Sequence, residues 1–272
     1  MPDLGAFVVP DEPPPFSDQT LVDVRAGRAV VLEEPDGVAA GPDGVAVVRD
    51  GELELVVRRE ARGHGTGTRL VERALALGGG AAPRLAWAHG DSPAARAIAT
   101  RYGWAPTRTL LQLRAPVPTT GAELGLPTGS TLAAFRPGTD EADWLALNAA
   151  AFASHPEQGS MTMDDLLARE AESWFDGADL LLLRDASGAL AGSCWLKVED
   201  GIGEFYAVAV RPDLQGQGLG GVLMRAGSAR LVGRGLAAQA LYVEGDNEPA
   251  LALYRRSGFT QHAIDVQYAA PA

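Results

Sequence analysis

Apolar and polar positions in the second half of the chain switch between two periods, and the switches mark out elements. TLAAFRP (131–137) reads as a strand, and DEADWLALNAAAF (140–152) sets Trp144, Leu145, Leu147 and Ala151 roughly on one helical face. MTMDDLLAREAESWF (161–175) predicts a second helix, opened by Thr162 as N-cap with Asp165 three residues on, a carboxylate form of the capping box. DLLLLRD (179–185) and ALAGSCWLKVE (189–199) predict strands paired around a turn over 185–188. GEFYAVAV (203–210) alternates, with Glu204, Tyr206, Val208 and Val210 on one face and Phe205, Ala207 and Ala209 on the other. Leu219, Val222, Leu223 and Ala226 mark the apolar side of a helix ending near Gly235. AQALYVE (238–244) is then a strand, NEPALALYRRSGF (247–259) a helix capped by Asn247 and stopped at Gly258, and QHAIDVQYA (261–269) a closing strand.

The first half echoes this order. LVVRREARGHGTGT (55–68) parallels VAVRPDLQGQGLGG (208–221), and Arg62 falls on Gln215 at an offset of 153 residues. LAWAHGDSPAARAIATRYGW (85–104) parallels LYVEGDNEPALALYRRSGF (241–259) at an offset of 155. A period near 150 is far too long for a solenoid and suits a duplicated domain. APVPTTGAELGLPTGS (115–130), rich in Pro, Gly and Thr, is linker-like, so two domains are expected over 1–124 and 125–272. The first copy is about 20 residues short ahead of its glycine loop, with its first strand or helix expected to be missing.

Composition narrows the function classes. At 272 residues, 46% hydrophobic, the chain can build two cores, and a net charge of −12 argues against binding nucleic acid or an anionic membrane. Cys194 is the only cysteine, so no intramolecular disulfide forms and a reducing cytoplasm is expected. No signal peptide or apolar stretch of membrane-spanning length is read, and no histidine accompanies His155 at metal-ligand spacing, so no metal is expected. A monomer acting on a small molecule is the expected form.

Three readings compete for QGQGLGG. Gly216, Gly218 and Gly221 formally satisfy the dinucleotide fingerprint, but that motif follows a first strand directly, whereas Arg-Pro-Asp-Leu-Gln intervenes here. A P-loop is excluded because no Gly-Lys-Ser/Thr follows. A plain strand-to-helix turn is the bland alternative. The remaining reading is Q/R-x-x-G-x-G/A opening a helix, whose bare amides and dipole form a nest for a diphosphate.

With V-x-V-x-P before this loop and N-x-x-A-x-x-L-Y-x-x-x-G-F after a further strand, the chain resembles the GCN5-related N-acetyltransferases (GNAT). HPEQG (155–159), REAESWFD (169–176), WLKVE (195–199), GEFYAVAV and LYVEGDN make it similar, within that family, to the tandem-domain mycothiol synthases; PFSDQ (15–19), RGHGTG and WAHGDSPAA carry the thinner match of the first copy. The resemblance implies a mixed α/β fold of two tandem GNAT-type domains, the first truncated at its start and the second catalytic. It implies acetyl-CoA as co-substrate and the cysteinyl amine of cysteinyl-glucosaminyl-inositol as acceptor. Another small-molecule or peptide amine, or a non-enzymatic acetyl-CoA sensor, remain as alternatives.

Acetyl transfer needs a neutral amine, a polarised carbonyl and a protonated leaving thiol. By resemblance, Glu204 is the base and Tyr254 the acid. CoA contacts fall on Val208, Ala209 and Val210, on Gln215, Gly216, Gln217, Gly218, Leu219, Gly220 and Gly221, and on Asn247, Glu248, Pro249, Ala250, Leu251 and Ala252. In the first copy they fall on Leu55, Val56, Val57, Arg62, Gly63, His64, Gly65, Thr66 and Gly67. Acceptor contacts fall on Asp18, Glu157, Lys197, Glu204 and Tyr242; Asp18 stands where the family has glutamate, one methylene shorter, and Lys197 is the chain's only lysine. At the repeat offsets Glu204 falls on Gly51 and Tyr254 on Ala99, with Glu52 one position off and on the opposite strand face. The first domain is therefore expected to be silent yet able to hold acetyl-CoA.

Overall fold

A computed structural model describes residues 3–271 except 11, 36, 38–40, 121, 122 and 154–157. In chain order the elements are α1 (Asp18–Arg25), β1 (Val30–Glu34), β2 (Gly44–Arg49), β3 (Glu52–Val57), α2 (Thr66–Leu75), β4 (Leu85–Ala88), α3 (Pro93–Arg101) and β5 (Ala105–Pro116). They continue with β6 (Thr131–Ala134), α4 (Glu141–Ala151), α5 (Met163–Glu170), β7 (Leu180–Arg184), β8 (Leu190–Glu199), β9 (Ile202–Val210), α6 (Leu219–Gly233), β10 (Ala238–Glu244), α7 (Glu248–Arg256) and β11 (Thr260–Ala269). The second copy has the expected order. The helix expected over 161–175 is shorter than its pattern: it keeps the Thr162–Asp165 capping box but stops at Glu170. Beyond it, Trp174 and Phe175 leave the helical path to pack their rings on Trp195.

Among the described residues, the first repeat has one α-helix and no strand ahead of its three-stranded meander, where the second has β6, α4 and α5. Among those residues, both a strand and a helix are thus absent.

The compact units follow strand pairing rather than chain order. Unit 1 is Met1–Leu111 with Glu244–Asp246 and Ala263–Ala272; unit 2 is Gln112–Val243 with Asn247–His262. In unit 1, β1, β2 and β3 form an antiparallel meander, β3 runs parallel to β4, and β4 pairs antiparallel with the last part of β11. The end of the chain therefore completes the sheet of the first repeat. In unit 2, β6 to β9 are successively antiparallel and β10 lies parallel to β9.

Each sheet buries both faces. In unit 1, Ala46, Val48 and Leu53 pack on Leu70, Val71 and Ala74 of α2, while Val45 and Val47 pack on Phe7, Phe16 and Val24. Leu70 is fully buried, and its truncation to Ala would cost about 2–5 kcal/mol. In unit 2, Trp195 and Ala207 join Phe135, Trp144, Leu166, Leu180 and Leu182 on one face. On the other face α6 lies so close to the sheet that a Cβ at Gly227 would collide with Phe205 and Cys194. No helix among the described residues is long and apolar enough to cross a membrane.

Candidate active site

Both glycine loops have the same construction. After β9, Gly216 (φ 77°) and Gly218 (φ 85°) take left-handed conformations that favour glycine, and Gly218 is the N-cap of α6. No side chain caps α6, whereas Ser17, Ser92, Thr162 and Asn247 cap α1, α3, α5 and α7. The Gly221 amide turns back to Gly218 O (3.0 Å), whereas those of Leu219 and Gly220 face no capping side chain and suit an external acceptor, reinforced by the helix dipole. Gln215 Nε2 donates to Val210 O (3.2 Å) and Gln217 Nε2 to Asp213 O (3.3 Å), so these side chains brace the loop. In unit 1, Gly63 and Gly65 are left-handed, α2 also lacks a side-chain cap, and Arg62 Nε repeats the brace to Val57 O at 3.0 Å.

The strands ahead of each loop open like a V. The β9–β10 ladder ends at Phe205–Leu241, so beyond it the β10-facing edge of β9, including Val208, Ala209 and Val210, has no β10 partner. On the β8 side the register slips between Trp195 and Leu196: Leu196 opposes Phe205, but Trp195 opposes Ala207. Tyr206 is the extra residue of this β-bulge, which interrupts the alternation expected along GEFYAVAV and adds local twist.

This opening gathers several of the expected residues. Lys197 stands directly opposite Glu204, so both side chains share one face. Tyr242 follows Leu241 on β10, on the face shared by Glu204 and its partner Ala240, and its hydroxyl accepts from Gln112 Nε2 (2.7 Å). Lys197 is nearly buried; its ammonium pairs with Glu199 (3.1 Å) and lies 5.4 Å from the ring centroid of Trp174. Tyr254 belongs to the opposite face: its ring neighbours Phe259, which packs edge-on against Phe205 beneath α6. Burial pushes the Tyr254 phenol up to about 12, so it is protonated at neutral pH. Burial likewise raises the Cys194 thiol far above its usual range, leaving it inert.

In α7, Asn247 accepts from Ala250 N (3.2 Å) as N-cap; Glu248, Pro249, Ala250 and Ala252 lie in the first turns, and Leu251 is buried. Asp18 is exposed at the start of α1 in unit 1. His155 and Glu157 lie outside the described residues.

Unit 1 holds a cavity of about 900 Å³. Leu55, Val56, Val57, Arg62, Gly63, Gly65, Thr66 and Gly67 line it, whereas His64 is off its wall. The register also corrects one expectation. In unit 1 the last paired steps are Glu52–Leu85 and Leu53–Ala86; in unit 2 they are Glu204–Ala240 and Phe205–Leu241. Glu52, not Gly51, therefore stands where Glu204 stands, and opposite it Arg49 replaces Lys197. The β2–β3 ladder has no bulge, so the repeat offset is one residue smaller ahead of Tyr206 than after it. Glu52 is paired with Arg49 (3.3 Å) and accepts from Gln267 Nε2 (2.7 Å).

The next residue on that face, Glu54, is buried, accepting from Ser17 N (2.9 Å) and Thr20 Oγ1 (2.9 Å). His89 bridges it to Asp265, with Nε2 3.7 Å from Glu54 and Nδ1 3.2 Å from Asp265. Burial alone would lower the His89 imidazole, but the two carboxylates outweigh it and raise it to about 9. Where unit 2 presents Lys197, Tyr206 and Trp174, unit 1 thus has an internal charge network.

The aromatic group was missed in the sequence. Trp174 and Trp195 pack on Tyr206, whose hydroxyl accepts from Arg169 Nε at 3.1 Å. The period-2 placement of Trp195 and Lys197 was its available signal; the turn that delivers Trp174 left none. Among the described residues, no group of three or more His, Cys, Asp or Glu could hold a metal ion.

The "Acetyltransferase (GNAT) family" profile matches residues 144–259. The chain is 49% identical over 261 residues to "Mycothiol acetyltransferase" of Clavibacter sepedonicus, covering 93% of this chain and 85% of that one. It is also 49% identical over 263 residues to the protein of the same name from Clavibacter michiganensis subsp. michiganensis, with the same coverage. Among solved structures, a "Tandem GNAT protein from the clavulanic acid biosynthesis pathway (without AcCoA)" superposes with a TM-score of 0.68 at 18% identity, over 99% of this chain and 93% of that one, a likeness of fold. The chain belongs to the mycothiol acetyltransferases, tandem-domain members of the GNAT acetyltransferase family.

Proposed function

We propose that unit 2 transfers the acetyl group of acetyl-CoA to the cysteinyl amine of cysteinyl-glucosaminyl-inositol, the last step of mycothiol assembly. Unit 1 binds acetyl-CoA without turning it over, and the reaction takes place in the cytoplasm, where the lone buried Cys194 fits a reducing environment. The observation that carries this reading is the opened β9–β10 ladder, with Glu204 on one face and Tyr254 on the other.

An α-ammonium titrates near roughly 7.7–8.0, so at neutral pH the acceptor must lose a proton before it attacks. Glu204 takes that proton, directly or through one water. The nitrogen attacks the thioester carbon, a C–N bond forms and the C–S bond breaks. Tyr254, on the far side, donates a hydrogen bond to the departing sulfur, and the second proton, shed by the nitrogen as the amide forms, goes to that sulfur, so CoA leaves as the thiol. With its phenol near 12 and a thiol near about 8.5, outright proton loss from Tyr254 is uphill, so it acts as a hydrogen-bond donor. The free edge of β9 at Val208–Val210 takes the pantetheine arm, and the α6 amides take the diphosphate. Lys197 and Tyr242 bind acceptor hydroxyls, Trp174 offers a ring face to the sugar, and Asp18 and Glu157 complete the acceptor contacts.

The test is thiol release from acetyl-CoA across a panel of amines. Cysteinyl-glucosaminyl-inositol should exceed free cysteine, aminoglycosides and peptide N-termini by at least about 100-fold in kcat/KM, the discrimination a hydrogen-bonding site supplies. Strong preference for a different amine would remove the acceptor assignment. Absence of thiol release with every amine would remove catalysis by unit 2.

A further inference from the structure

The chain ahead of α1 forms part of the unit 1 cavity. Glu12, Pro13 and Pro15 stand on its wall. The Glu12 carboxylate accepts from Arg62 Nη1 (2.9 Å), Arg62 Nη2 (2.6 Å) and Arg59 Nη2 (2.8 Å). Pro13 packs so closely on Gly90 that a Cβ there would lie 2.9 Å from Pro13 Cγ. The strap is therefore pinned to the glycine loop at one end and to the turn between β4 and α3 at the other, and both belong to the cavity wall.

The chemistry of the loop explains why a carboxylate sits there. Arg62 Nε holds Val57 O, as Gln215 Nε2 holds Val210 O, but Arg62 has two further donors and a charge that Gln215 lacks. With Arg59 beside it, the unit 1 loop is a cationic mouth, and the chain's own carboxylate closes it. Hydrogen bonds from Arg62 and then Arg59 hold Glu12 down to about 2, so it is ionised at any physiological pH.

We propose that Glu12 determines which ligands the first cavity accepts: it is an internal anion on Arg59 and Arg62 that an incoming phosphate group must displace. This rests on the reading that the first glycine loop takes the diphosphate of CoA. A multiply charged diphosphate outcompetes one carboxylate for two guanidinium groups, whereas an uncharged pantetheine derivative has nothing to exchange for it. Strapped, the cavity admits thioesters with the full nucleotide handle and binds them more weakly than its loop would allow.

The test uses the full chain with Gly221→Glu, which sets a carboxylate on the first turn of α6 at an ordinary helical φ and closes the second loop to diphosphate. CoA and, separately, S-acetylpantetheine are titrated by calorimetry into this chain and into the same chain with Glu12→Gln or Glu12→Asp. Glu12→Gln should tighten CoA binding about tenfold, the order of one charge-assisted contact, and leave S-acetylpantetheine within about twofold. Glu12→Asp, which keeps the charge, should stay close to the parent. CoA affinity unchanged or weakened by Glu12→Gln, or both ligands tightened equally, would overturn the proposal. No CoA uptake by parent or Glu12→Gln would instead remove the reading of the first loop and this inference with it. Melting curves of the variants matching the parent confirm that the readout is binding.

Discussion

The two units differ least in their glycine loops and most around the carboxylate that faces a cation across neighbouring strands. Both have a glycine loop with left-handed residues, an uncapped helix and a side-chain brace to the preceding strand. Both also have an acid and a base facing each other across neighbouring strands, Glu52 with Arg49 and Glu204 with Lys197. The difference lies around that pair. In unit 2 the strand bulges at Tyr206, and the surrounding face is aromatic; in unit 1 the ladder is regular, and Arg49, Gln267 and His89 engage the carboxylates of Glu52, Glu54 and Asp265. Glu52 has one oxygen on Arg49 and the other on Gln267. On the proposal that the first copy is silent, the cause lies in what surrounds its carboxylate rather than in a missing side chain.

The comparison is most exposed to paired substitutions of the two glutamates. Glu204→Gln should lower kcat about 1,000-fold, within the range of a lost general base, while Glu52→Gln should leave turnover within about twofold. Equal losses in a steady-state thiol-release assay would show that both units react.

Next in size is the charge network of unit 1. His89→Ala leaves Glu54 and Asp265 buried without their shared cation, and should cost about 3–5 kcal/mol in urea unfolding. The pH dependence has a definite sign. With His89 raised to about 9 from 6.5, its contribution is full below about 6.5 and is lost as pH rises through 9. Unfolding midpoints should therefore fall between pH 7 and 10, by less in His89→Ala; identical slopes would mean that the imidazole is not the linked group.

Tyr254→Phe should reduce kcat by about 10- to 100-fold, one hydrogen bond to a charged atom, with KM for acetyl-CoA unchanged. A matching rise in KM would make the tyrosine a binding residue only. The smallest effect is expected at Asp18 in unit 1. Asp18→Ala should raise KM for the acceptor about fivefold at constant kcat, the scale of one hydrogen bond. An unchanged KM would confine acceptor recognition to unit 2.

The elements and caps were legible because their causes are local. Asn247 and Thr162 cap the helices their spacing announces, and Gly216 and Gly218 take the left-handed φ that the loop motif requires. The helix past Glu170 misled, since helical periodicity extends through residues whose rings are drawn out by a distant strand. The repeat offset misled in a subtler way. A single extra residue at Tyr206 leaves no local signature, yet it shifts every position ahead of it, which hid Glu52 behind Gly51.

By itself the amino-acid order determined two α/β copies, two glycine loops that each open a helix and the candidates for chemistry, because turns, caps and periodicity depend on neighbours a few residues apart. Only the tertiary structure decided which carboxylate stands opposite which cation and where each compact unit ends. Those outcomes depend on strand register and on residues such as Gln267 and Asp265, which meet Glu52 and Gly90 from more than 170 positions away. Pairing across such distances is set by the packing of whole sheets, so no short window of sequence contains it.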